Sequence, residues 1–385
     1  MNAAEWMFSL IRDVFEKPTD SIDDAVGEQL LPHLYRLSNA HDMAHIVAEA
    51  LDRRGCLVGE TASQFQKQRM LAVFRERQLT YETEVLFAAL ESAQIDFLPL
   101  KGTVLRAKYP EAWMRTSCDI DVLVRDADLD RASSVLTEQI GYRFVERGLH
   151  DVGFLSPRNV RVELHFDLVG ENRAREASQL LRNVWEDATL CDGARFHYRM
   201  SDGMFYLYHV AHMAKHLEIG GCGIRPFLDL WMMDRDADAD TVVLRDTMLE
   251  RAGLKRFTDV SRRLAAVWFS GAASDDLLTR LSDYVLRAGV YGTQEFRVAM
   301  GQAQKGGRWS YVWSRLFLSY ERMRMQYPVL QKHKWLLPVC HIRRWMRLVF
   351  GGKAGRSLRE VERTMHTSGD LTKKTAYLLE QLDLL

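Results

Sequence analysis

The spacing of apolar and polar positions along this 385-residue chain changes period several times, and each change predicts an element. Residues 1–92 read as helical. Within them, residues 9–16 form a short amphipathic piece and 18–24 a loop. Over 61–93, Phe65, Met70, Leu71, Phe74, Leu79, Val85, Leu86 and Leu90 recur with a 3.6-residue period, behind Thr61 as N-cap. The period then shortens. Residues 95–100 are an apolar run between a helix and a glycine, which predicts a strand; 103–109 follow as a short helix ended by Pro110, and 118–125 as a second strand. A helix over 126–140 stops at Gly141, and 142–146 with 152–155 predict a strand pair. Residues 161–168 alternate strictly, with Glu163, His165 and Asp167 on one face and Val162, Leu164, Phe166 and Leu168 on the other. From Ser201 to Glu218 the helical period returns. Leu207, Val210, Ala211, Ala214 and Leu217 make one stripe, and His209, His212 and His216 a second, roughly opposite. The rest reads as helices with loops at 220–223, 234–240, 271–274 and 351–355, without internal repeat or low-complexity tract.

This order of elements predicts an α+β fold: a helical section over 1–92, a mixed β-sheet core with flanking helices over 93–190, and a helical C-terminal domain over 191–385. Composition changes the picture little. With 47% hydrophobic residues and 52 basic against 52 acidic side chains, the chain is of ordinary globular type, and zero net charge gives no whole-molecule steering toward nucleic acid or lipid. Five scattered cysteines without a CxxC pair suit neither a disulfide framework nor a zinc ribbon. The first residues carry Glu5, Arg12 and Asp13 rather than a signal-peptide pattern, and no window approaches the ~18 uncharged apolar residues of a spanning helix. The cytoplasm is the expected location.

Charge becomes informative locally. Between Lys305 and Arg359, thirteen basic residues face the single acid Glu321, so this segment carries +12 and the remainder −12, and Trp309, Trp313, Trp335 and Trp345 are interleaved. The basic segment 305–359 is either a docking surface for anionic lipid or another polyanion, which would make the protein peripheral at a membrane, or a set of solvated helix faces.

The chemistry concentrates elsewhere. Asp119 and Asp121, spaced i, i+2 on a strand, put two carboxylates side by side, while Ile120, Val122 and Val124 face the opposite way. Such a pair requires a cation. Glu163 adds a third carboxylate from a later strand, and the Lys101-Gly102 turn opens a helix whose N–H groups and ammonium suit phosphate. Hard Mg²⁺ (or Mn²⁺) takes carboxylate and phosphate oxygens together, so this is the residue set of metal-assisted phosphoryl chemistry. His209, His212 and His216, at i, i+3, i+7, supply metal ligands, line the acceptor side of a cleft, or pack as polar groups. A metal hydrolase built on that helix would lack a nearby His-Asp pair and a water-activating Glu. Cys118 reads as a core residue on the other strand face.

Taken together, Leu100-Lys101-Gly102, Arg115-Thr116-Ser117-Cys118-Asp119-Ile120-Asp121, Gly141-Tyr142 and Val162-Glu163-Leu164-His165, followed by a histidine-rich helix with Arg225 and Asp229, resemble the uncharacterised bacterial nucleotidyltransferase family. That family belongs to the nucleotidyltransferase superfamily, whose fold resembles DNA polymerase β. The usual Gly-Gly or Gly-Ser turn is Lys-Gly here, and the interval from Gly102 to Asp119 is longer than typical. The resemblance covers roughly residues 60–235. It implies a nucleotidyltransferase-type mixed sheet, an NTP substrate, and transfer of a nucleoside monophosphate to a hydroxyl-bearing acceptor. Asp119 and Asp121 are then metal ligands, and Glu163 is the third ligand or the base. Lys101, Gly102, Arg115 and Ser117 contact the nucleotide, unless Arg115 instead pairs with Asp119. His165 stands behind the ligands, and His209, His212, His216, Arg225 and Asp229 set the acceptor side. The rival reading is a non-catalytic nucleotide-sensing protein that docks through its basic segment.

Overall fold

The first helix forms where the sequence caps it. A computed structural model describes residues 1–16, 27–168, 175–290, 292–350 and 369–384. The expected loops at 18–24 and 351–355, and Lys353, Arg356 and Arg359 of the basic segment, lie outside the described residues. Helix α1 (Ala3–Phe15) starts at a capping box of Asn2 and Glu5, and α2 (Leu31–Ala40) and α3 (Ala44–Arg53) follow. Helix α4 (Glu60–Ser92) is capped by Gly59, not Thr61. Its stripe is only partly core: Leu79, Leu86 and Leu90 are buried under the sheet, whereas Met70 and Phe74 are 72% and 66% exposed. The N-terminal half of this long helix leans on α2 through Phe65 and Tyr35, so residues on its other side meet solvent.

Five strands form the sheet: β1 (Phe97–Pro99), β2 (Asp119–Val124), β3 (Arg143–Arg147), β4 (Asp151–Leu155) and β5 (Arg161–His165), in the order β1-β2-β5-β4-β3. Only β2 and β5 run parallel; every other pair is antiparallel, so the fold is α+β with a mixed sheet. Ile120, Val122 and Val124 of β2 join Val162 and Leu164 of β5, Phe97 and Phe154 in the core beneath it. The opposite phase of both central strands is left for polar side chains.

Between strands lie α5 (Lys101–Leu105) and, after a 3₁₀ turn, α6 (Leu129–Ser134), which runs into a π turn at Val135–Gln139. Gly141, at φ 71°, ends that run as the sequence predicts. Helices α7 (Arg175–Arg182) and α8 (Val184–Asp187) precede α9 (Asp202–Ile219), α10 (Arg225–Arg235), α11 (Ala239–Arg251), α12 (Lys255–Ser270) and α13 (Asp276–Ala288). Helix α9 does not keep a solvent side opposite its apolar stripe, because Tyr208, His209 and Met213 are buried along with Leu207, Val210 and Ala211.

The chain divides into two compact units, one of Met1–Lys215 with Cys222–Val290 and one of His216–Gly221 with Tyr291–Leu385. The second unit contains α14 (Gln294–Gln304), α15 (Arg308–Leu316), α16 (Tyr320–Gln326), α17 (Leu337–Phe350) and α18 (Gly369–Gln381). Among the described residues, no helix is long and apolar enough to cross a membrane.

Candidate active site

Parallel pairing of β2 with β5 aligns Asp121 with Glu163, and Leu123 with His165. Because Asp119, Asp121, Glu163 and His165 all sit on the phase opposite the core, the four project from one face of two neighbouring strands. Asp121 is only 2% exposed. Its Oδ1 accepts a hydrogen bond from Lys101 Nζ at 2.9 Å and lies 2.8 Å from His165 Nε2, which is itself 3.7 Å from Glu163 Oε2. Arg161 Nε donates to Glu163 Oε1 at 2.8 Å and its other arm to Glu146 Oε1 at 2.7 Å. Donor atoms of Asp121, Glu163 and His165 fall within 4.8 Å of one another, the one such group of three His, Cys, Asp or Glu residues among those described. Asp119 is not in that trio but feels the charges of Asp121, Lys101 and Glu163.

The cluster is rich in carboxylates: Asp119, Asp121 and Glu163 stand together, with Lys101 bonded to Asp121, Arg161 to Glu163, and Arg225 and Arg106 acting on Asp119 through their charge. Burial, with the neighbouring charges of Asp121 and Glu163, pushes the Asp119 carboxyl up to about 6, against the relief Lys101 gives it. Burial would raise Asp121 too, but Lys101 and His165 outweigh it and hold that carboxyl well below the usual range. The ammonium of Lys101 resists burial because Tyr208, Asp121 and Asp119 surround it, so it stays charged.

The turn before α5 and the loop before β2 hold these groups in place. Lys101 adopts φ 43°, a left-handed conformation that costs a non-glycine residue about 1 kcal/mol or more and is retained at functional sites. Leu100 N–H donates to the Asp121 carbonyl at 3.0 Å, tying the turn to the middle of β2. A Cβ at Gly102 would come 3.1 Å from Cβ and 3.2 Å from Oγ of Ser117, so the glycine permits this close approach. Ser117 Oγ in turn accepts from Arg106 and donates to the Asp119 carbonyl at 3.1 Å. Ser117 thus fixes the backbone of the first aspartate.

Several predicted site residues face elsewhere. Arg115 pairs neither with Asp119 nor with open space: its Nε donates to Asp229 Oδ1 at 2.6 Å, Tyr109 donates to the same oxygen at 2.8 Å, and all three residues are buried. Arg225 donates to Asp42 Oδ2 at 2.7 Å and to the Thr116 carbonyl at 3.0 Å. These two arginines, with Asp229, clamp the 112–117 loop from behind. His209 is buried and donates through Nε2 to the Pro226 carbonyl at 3.0 Å, a packing role. The ring of His212 lies 6.2 Å from that of Tyr208, and His216 belongs to the second compact unit. Cys118 is exposed rather than core, since β2 begins one residue later.

Sequence reading missed three contributors. Tyr208 on α9 is buried and senses Lys101, Asp121, Asp119 and Glu163, while Lys215, seven residues on, has its pKa lowered by burial and by Lys101. Their i, i+7 spacing on the histidine helix was the available signal. Gly153 pairs opposite Glu163 across β4 and β5, and a side chain there would meet the Arg161 guanidinium at 3.2 Å.

The family described as "Uncharacterised nucleotidyltransferase" matches residues 28–270, more than half of the chain. No curated protein and no solved structure matches it.

Proposed function

The chain belongs to the uncharacterised nucleotidyltransferase family, and from that premise we propose that it transfers a nucleoside monophosphate from an NTP to a hydroxyl-bearing acceptor and releases pyrophosphate. The observation that carries this reading is the register of β2 on β5, with Asp121 opposite Glu163 and both Asp119 and His165 on the same face. Carboxylate oxygens and an imidazole nitrogen converging within 4.8 Å are chemically matched to a divalent cation, Mg²⁺ or Mn²⁺. Asp121, Glu163 and His165 would hold it, with Asp119 beside them. Bound there, it would withdraw negative charge from the phosphate oxygens during displacement.

The chain's own groups supply the rest. An ammonium has three donors, and Asp121 takes one from Lys101, which leaves two for phosphate oxygens. Its positive charge favours the triphosphate that the carboxylates alone would repel. Helix α5 spans only five residues, so that ammonium, more than a helix dipole, attracts the phosphates. In the reaction, the acceptor oxygen bonds to the α-phosphorus as the bond from that phosphorus to the bridging oxygen of pyrophosphate breaks. The acceptor proton passes to a carboxylate oxygen of Glu163, whose side chain is 18% exposed against 3% for Asp121 and is therefore the one an acceptor reaches. Ser117 and Arg115 act through the backbone they hold, and Gly102 through the space it leaves.

Incubation with α-labelled and γ-labelled NTPs and a panel of hydroxyl acceptors tests the proposal. The α-label is expected on an acceptor and the γ-label in pyrophosphate, with Asp121→Asn at least about a hundredfold slower. Absence of α-label from every acceptor, while wild type and Asp119→Asn bind Mg-NTP equally, would leave a nucleotide-sensing protein instead.

A further inference from the structure

The basic segment lies in the second unit, and its surface is unusual. On α15, Trp309 and Trp313 are 73% and 64% exposed and Leu316 continues the same face at i+7. On α17, Val339, Ile342 and Met346 make an equally exposed stripe at i, i+3, i+7. The two stripes are joined. The Trp313 and Phe317 rings are 4.6 Å apart, Phe317 and Trp345 5.1 Å, and Trp345 Nε1 and Arg344 NH1 each donate to the Leu316 carbonyl at 3.1 Å. Beside this patch, a cleft of about 660 Å³ opens between the 326–329 turn and α17. Its walls are amphipathic. Arg343 and Arg347 lie over the Tyr327 ring at 6.0 and 5.8 Å, and Val329 and Met346 supply apolar surface. From Lys305 to Arg347 the chain holds ten basic residues and one acid, Glu321, whose carboxylate is engaged by Arg324 at 2.6 Å.

We infer that this face docks the protein on an anionic phospholipid bilayer, with Arg343 and Arg347 taking a lipid phosphate in the cleft and the aromatic and aliphatic stripes entering the headgroup region. The sign of the charge selects an anionic partner. Residue type selects lipid over nucleic acid: tryptophan suits both bases and headgroups, but Val339, Ile342 and Met346 gain nothing from phosphate or base stacking and gain by leaving water for acyl chains. Tryptophans at the headgroup level, flanked by arginines, are the composition of helices that lie in the interface. The inference is independent of nucleotidyl transfer and does not rest on it.

Flotation of the full chain with vesicles tests it, using phosphatidylcholine alone against phosphatidylcholine with about one third phosphatidylserine. Binding only to the anionic vesicles is expected, weakening with salt and accompanied by a blue shift of tryptophan emission. Replacing Arg343 and Arg347 together by Gln should weaken partition about fivefold for each charge. The pair Ile342→Gln and Met346→Gln, both more than half exposed and so removable without disturbing the core, should weaken it about tenfold while keeping the salt dependence. Equal affinity for neutral vesicles, tighter retention on an oligonucleotide than on anionic vesicles, or indifference to both double variants overturns the assignment.

Discussion

A methyl group added at Gly102 has nowhere easy to go. It would press on Ser117, whose Oγ is already held between Arg106 and the Asp119 carbonyl, so the neighbour that must yield is the one fixing the first aspartate. Overpacking of this kind costs about 1–3 kcal/mol, and the better helix propensity of alanine returns up to ~1 kcal/mol. Gly102→Ala is therefore expected to destabilise the fold by about 0–2 kcal/mol and to cut label transfer about tenfold or more, since misplacement by a few tenths of an ångström acts directly on the site. A mutant equal to wild type in turnover would show that Ser117 does not govern Asp119. His165 offers a second test at the same scale. With Mn²⁺ as probe, pulsed EPR of the wild type should show nitrogen coupling, and His165→Gln should abolish it and weaken Mn²⁺ by about 10–100-fold. Bound Mn²⁺ without nitrogen coupling in the wild type would reduce His165 to a hydrogen-bond partner of Asp121.

At the scale of elements, what was legible in the sequence is what period alone determines. Alternation in β2 and β5 put Asp119, Asp121, Glu163 and His165 on one phase and Ile120, Val122, Val162 and Leu164 on the other, and pairing of the two strands completed the cluster. Period cannot reveal which long-range partner a buried charge selects. Arg115 finds Asp229 more than a hundred residues away, and His209, on the polar stripe of α9, is buried like the apolar stripe opposite it. The exposed half of α4 misled for the same reason, since a helical stripe announces that a face is apolar but not where the next element ends. The Arg115–Asp229 pair makes this testable. Asp229→Asn leaves a buried guanidinium without its counter-charge and should cost about 3–5 kcal/mol in urea unfolding. Replacing both partners by apolar residues, Arg115→Met with Asp229→Leu, should cost far less, yet still slow transfer because the 112–117 loop loses its anchor. If the double variant is as unstable as the single one, the pair is not the anchor that holds the loop.

For the first compact unit as a whole, stability should depend on pH in a way that the buried histidines decide. His41, His45 and His209 each set Nε2 against a carbonyl, of Leu286, Met114 and Pro226, which by itself favours the charged ring, and Nδ1 of His41 is buried with no partner among the described residues. Burial keeps all three below the ordinary histidine value of 6.5. Their stabilisation is thus fully present above pH 6.5, the unfolded value, and is lost as pH falls beneath it, because the unfolded chain then binds protons the native state refuses. Asp119 works in the opposite direction. With its folded value raised to about 6 from 3.8, the native state holds an extra proton between those values, and that contribution is present below 3.8 and lost as pH rises through 6. Each group changes stability by at most ~1.4 kcal/mol per pH unit inside its window, so three histidines outweigh one aspartate and the metal-free protein should weaken from pH 7 toward 5.5. A divalent ion that keeps Asp119 ionised removes the offset, so the acid loss should be steeper in saturating Mg²⁺ or Mn²⁺ than in chelator. Denaturant midpoints across that range, with and without metal, measure both slopes. His45→Gln, whose amide can still donate to the Met114 carbonyl, should flatten each curve by one histidine's share, and an unchanged slope in that variant would remove the histidines from the explanation.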